Sequence, residues 1–210
     1  MRMNPLKGRE VVMKASPWLA IGCAFLLALG LNLAGCSDDE SQPRSRVTIT
    51  RIADIEEDAD LSTGVFLSDI LDAGDDQTPL TADDIFFEDA ILVTVENTPS
   101  SDLLALKPGG PFGSVTFTSY RIDYDVDGES IAPLTGGLQL VVPTGGKATA
   151  RIVLVTALAK TQPPLITLVA SGDELAGTAS LTLRGTEQDS NEPIVATAAI
   201  AIHFADWADN

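Results

Sequence analysis

Thiols, imidazoles and large aromatic rings are scarce in this chain, which holds two cysteines, one histidine and two tryptophans in 210 residues. Both cysteines, Cys23 and Cys36, fall in the first 36 positions. The remainder therefore has no disulfide, no cysteine-held metal and no cysteine nucleophile. The single histidine, His203, cannot build a multi-histidine metal site. No G-x-S-x-G turn supplies a serine for it to activate, so it reads as a partly buried structural residue. Carbohydrate-cleaving sites need a carboxylate pair and usually an aromatic platform, and Trp18 and Trp207 stand at opposite ends of the chain. The glycine pairs at 109–110, 136–137 and 145–146 have neither Walker nor Rossmann spacing. They read as turns between strands, with PTGGK at 143–147 as a hairpin loop. No enzymatic chemistry is expected.

Charge is absent altogether from residue 15 to residue 35. Before that window stand Arg2, Lys7, Arg9 and Lys14 against one acid, Glu10. A basic start, a short apolar run and small residues before a cut describe a secretory signal. The window ends in Leu33-Ala34-Gly35-Cys36, which resembles the bacterial lipobox. That resemblance implies a diacylglycerol thioether on Cys36 and cleavage just before it. Leu33 would give the apolar grip, and Ala34 and Gly35 the small side chains the peptidase accepts. An uncleaved spanning helix is the competing reading, since the window just reaches ~30 Å. Gly22, Gly30, Asn32 and Gly35 interrupt it, and no basic stop follows. Ser37, where an aspartate would hold such a lipoprotein at the inner membrane, implies an outer-membrane protein facing the periplasm or the cell surface.

Cations are few. Removing the leader's four basic residues and one acid from totals of 13 and 30 leaves 9 and 29, a net charge of −20 on the expected mature chain. Such a field repels phosphate backbones, so nucleic-acid binding is not expected. The same field favours solubility and attracts cationic partners. Thirteen acids crowd between Arg51 and Ala90.

The chain divides into a signal (1–35), a lipidated cysteine with a flexible tether (36–46), and one β domain (47–210) with an acidic, loop-rich first part (53–90). Strand signals recur at 47–52, 65–71, 83–87, 91–97, 114–126, 137–142 and 148–159. They continue in LITLVA, TASLTLRG and IVATAAIAIHF. In SVTFTSYRIDYDV, Tyr120, Ile122, Tyr124 and Val126 alternate with Ser119, Arg121, Asp123 and Asp125, a period of two with one buried face. No amphipathic helix is evident. The expected fold is all-β, an antiparallel sandwich of about seven to nine strands.

DYDVDGES at 123–130 places Asp123, Asp125, Asp127 and Gly128 as in the opening of a calcium loop. The twelfth position, where a bidentate acid belongs, is Leu134. A hairpin accounts for more, since Asp127-Gly128 suits a type I′ turn that pairs Val126 with Glu129 and sets Tyr124 opposite Ile131. No cofactor is expected, and calcium on these three aspartates is the alternative.

VTFTSYRIDYDVDG (115–128), LRGTEQDSNEPIVATAAIAIHFADW (183–207) and the LAGC anchor together resemble a group of functionally uncharacterised bacterial lipoproteins with an immunoglobulin-like sandwich. The resemblance implies that fold and an envelope address, and no catalytic residue. The expected function is a non-enzymatic structural or binding module, lipid-anchored through Cys36 and meeting an envelope protein or other cationic partner. The alternatives are a calcium-dependent adhesion domain and an accessory subunit of an envelope enzyme.

Overall fold

The structure is a computed structural model that describes residues 44–55, 60–61, 63–74, 78–100 and 113–207. Leu33, Ala34, Gly35, Cys36 and residues 37–43 of the tether lie outside the described residues. Among the described residues the protein is mostly β, with two sheets and two short helices. One sheet has three strands in the order β1 (Ser45–Asp54), β3 (Asp89–Pro99), β6 (Lys147–Val155). The other has five, in the order β2 (Val65–Asp69), β8 (Pro193–Ala205), β7 (Leu175–Glu187), β4 (Val115–Val126), β5 (Leu134–Val142). All pairs are antiparallel except β2 with β8. The expectation of a purely antiparallel arrangement is corrected there: β2 is an edge strand that runs parallel to β8.

Both sheets turn alternate apolar residues into one shared core. Ile91, Val93 and Val95 of β3 meet Phe117 and Ile122 of β4, Leu181 and Leu183 of β7, and Ile202 and Phe204 of β8. Each such side chain, fully buried, contributes about 1.5–3 kcal/mol. The alternation in β4 changes phase midway, because a bulge between Phe117 and Ser119 puts Val115 and Phe117 inward before it and Tyr120 and Ile122 inward after it. One inserted residue reverses which parity faces the core. The two sheets are also tied directly, since the Tyr124 hydroxyl on β4 donates to the Leu154 carbonyl on β6.

Two expected strands end differently. ATARIVLVTALA is strand only to Val155; Thr156 then caps α1 (Ala157–Lys160), its hydroxyl accepting from Ala159 N–H at 3.1 Å. LITLVA lies in α2 (Leu165–Ser171). Its core contacts are Leu165, Leu168 and Val169, the spacing of a helix face, and six residues are too few for the pattern to separate helix from strand. Residues 83–87 form a single bridge, Ile85 with Asp72. At Asp127-Gly128 only Gly128 has positive φ (76°), so the turn is not the mirror-image type I′. Val126 does bridge Glu129, but Tyr124 faces Ala179 on β7 instead of Ile131.

The glycine pair 136–137 lies inside β5 and is not a turn. Gly136 faces Tyr120, and a Cβ there would come within 2.3 Å of the tyrosine ring. The bare backbone is the seat for that buried ring. Pro143–Gly146 does turn the chain, but it links the edge strands of different sheets, so it is no hairpin.

Gly136→Ala should therefore destabilise the protein by about 1–3 kcal/mol through displacement of Tyr120. Gly137→Ala, with nothing within 4 Å of the added carbon, should stay within ~0.5 kcal/mol of wild type. Chemical denaturation of both variants checks the pair; equal losses would contradict this packing.

Candidate functional site

One end of the domain is built where β1 and β6 stop and β3 starts. Asp89, the first residue of β3, is in register with Val155, the last of β6. The chain then turns through α1 and brings Lys160 back toward Asp89. Lys160 is 1% exposed. Its ammonium donates to Asp89 Oδ1 at 2.8 Å and to the Asp69 carbonyl at 2.5 Å. Ser68, fully buried on β2, donates to Asp89 Oδ2 at 2.6 Å. One carboxylate thus ties β2, β3 and α1 together. Asp69 extends the knot by accepting from the Trp207 backbone N–H at 3.0 Å.

Burial dominates the titration here. It raises the Asp89 carboxyl above its ordinary value, against the opposing pull of Lys160. Burial, with the Asp89 charge second, also pushes the Tyr124 phenol well up. Chemically the trio is closed. The Ser68 proton is held by Asp89, and the Lys160 ammonium donates to Asp89 and to the Asp69 carbonyl, so within the trio the serine faces a carboxylate already engaged by a cation.

Against this knot lies a cleft of about 320 Å³. Its acids are Asp54, Asp69, Asp72, Glu88 and Asp89; its cations are Arg151 and Lys160. Arg151 is paired with Glu88 at 2.7 Å. With all seven charged, five acids against two cations leave a net −3. The rim is apolar: Ile55, Leu67 and Phe87 are 37%, 58% and 56% exposed.

The three aspartates named from sequence do not form this site. Asp123 is held by Arg121, whose Nε and Nη2 reach its two oxygens at 2.6–2.9 Å. That guanidinium keeps the Asp123 carboxyl below its ordinary range. Asp125 is exposed on β4, and Asp127 is exposed in the turn beyond. No group of three or more His, Cys, Asp or Glu able to hold a metal occurs among the described residues. His203 is half-buried on β8, its neighbours Ile202 and Phe204 facing the core as the alternation requires. Of the described acids of 53–90, Asp54, Asp69, Asp72, Glu88 and Asp89 line the cleft. Lys160 was not singled out by sequence reasoning, although it is the lone cation between Arg151 and Arg184 and ends an apolar run.

Lys160→Met, which strands a buried carboxylate, should cost about 3–5 kcal/mol, whereas Lys160→Met with Asp89→Leu should recover most of that loss. Urea denaturation of the singles and the double supplies the cycle; additive losses would refute the coupling. The sign of the pH dependence follows from the raised Asp89 carboxyl. Its contribution is fully present below the ordinary carboxylate range and is lost as pH rises through the raised value. The stability advantage of wild type over Asp89→Asn should therefore be larger at pH 4.5 than at pH 7. An advantage that grows with pH would contradict it.

No family model matches the chain. No curated protein matches it either. A solved structure of a protein from Archaeoglobus fulgidus overlaps 58% of this chain and 87% of its own at 10% identity, with a TM-score of 0.38; nothing is built on a likeness of that size.

Proposed function

We propose that this chain is a bacterial outer-membrane lipoprotein, anchored through Cys36, whose immunoglobulin-like sandwich serves as a non-enzymatic binding module in the envelope. The observation that carries the reading is the placement of the cleft on β1. The tether joins β1 at Ser45, and Asp54 at the other end of the same strand lines the cleft. Nine steps at ~3.3 Å put the two ends roughly 30 Å apart. Ser45 is a firm attachment, since its buried hydroxyl bonds Glu187 Oε1 at 2.6 Å. The cleft and the strand end that follows the tether thus lie at opposite ends of β1. The closed Ser68–Asp89–Lys160 trio supports binding over catalysis. The pairing of Asp123 with Arg121 disfavours the calcium alternative.

The anchor is tested in cells that make the full chain. Labelled palmitate should join the protein and track with the outer membrane, and Cys36→Ser should abolish both. Unlabelled wild type, or a serine variant that fractionates unchanged, would overturn the reading.

A further inference from the structure

We propose that the cleft and the free edge of β2 bind an extended, cationic segment of another polypeptide, which adds as a strand beside β2; this rests on the binding-module reading above. Among the described residues, strand β2 ends the five-stranded sheet and has a strand partner, β8, on one side only. Ile70 N–H donates to the Ala205 carbonyl at 3.0 Å. In a parallel ladder alternate residues face the same neighbour, so Phe66, Ser68 and Ile70 turn their backbone groups to β8. Val65, Leu67 and Asp69 turn theirs to the open side. The Asp69 carbonyl is met there by Lys160, which leaves the edge at Val65 and Leu67 for an incoming strand.

The surroundings select the occupant. Of nine large apolar side chains exposed among the described residues, Val65 and Leu67 stand on β2, and Ile55 and Phe87 line the cleft beside it. Exposed apolar side chains gathered in one patch mark an interaction surface. The cleft beside them carries net negative charge, as counted above. An extended chain alternating apolar and basic residues meets both demands: one face packs on Leu67 and Phe87, the other approaches the acids, and its backbone completes the ladder. A second copy of this chain is a poor occupant, since the chain carries −17 overall and the cleft is itself acidic. Anionic lipid is disfavoured on the same ground.

The test uses the full acylated chain in neutral detergent and a fluorescent octapeptide of alternating lysine and valine, read by anisotropy. Binding at low salt should be at least tenfold tighter than for the glutamate–valine counterpart and should weaken as salt rises. Leu67→Lys should weaken it at least tenfold. Val195→Lys, an exposed apolar position of β8 outside the cleft that gains the same charge, should change it less than twofold. Phe87→Ala serves as a second cleft variant, with circular dichroism confirming the fold of each. Equal binding of the two peptides, or equal losses at Leu67 and Val195, would overturn the proposal. So would sedimentation showing that the edge pairs copies of the chain and that Leu67→Lys abolishes it. Palmitate labelling of the same preparation reports separately on the anchor, so loss of either reading is visible without the other.

Discussion

The end of the domain that carries the cleft depends on one buried ammonium. Lys160 has left water, and an ion in that position must find oxygen acceptors or the fold loses several kcal/mol. It finds the Asp89 carboxylate and the Asp69 carbonyl. Those contacts join α1, which follows β6, to the end of the short edge strand β2 and to the first residue of β3. The core sets the sheets; the ion pair sets how their ends are finished. The cleft is the space left where polar groups already committed to one another line one wall and apolar side chains line the rim.

The two ends of β1 divide the labour. At Ser45 a buried hydroxyl reaches Glu187 and the Gly113 carbonyl, which also accepts from the Asn97 amide, and this binds the strand start into the body of the protein. At Asp54 the strand ends at the cleft. A large negative charge suits this division, because it keeps the surface from anionic lipid while concentrating attraction for cations. Charge of one sign does not choose a partner. The apolar rim and the sheet edge add shape to it.

Much of the fold was legible because strand alternation is a local signal. Ile200, Ile202 and Phe204 on β8, and Tyr120, Ile122 and Val126 on β4, show the buried face in the sequence itself. The bulge after Phe117 was not legible, since one inserted residue leaves the composition unchanged while reversing parity. Gly136 looked like a turn because nothing nearby in sequence reveals the tyrosine ring above it. LITLVA fits either period over six residues. The site was harder still: Lys160 and Asp89 are 71 positions apart, and Ser68 and Asp89 are 21 apart. Only the folded topology brings them together. The acidity of 53–90 was visible, but not which of its acids would face one cleft.

The burial of Lys160 is open to direct observation by nitrogen-15 NMR of its side-chain ammonium at neutral pH. A solvent-exposed lysine exchanges its ammonium protons too fast to give a signal there. The structure predicts a protected ammonium resonance, assigned by its loss in a Lys160 variant, that shifts when Asp89 is replaced by asparagine. A spectrum with no protected lysine ammonium would place Lys160 in water and contradict the arrangement on which the cleft rests.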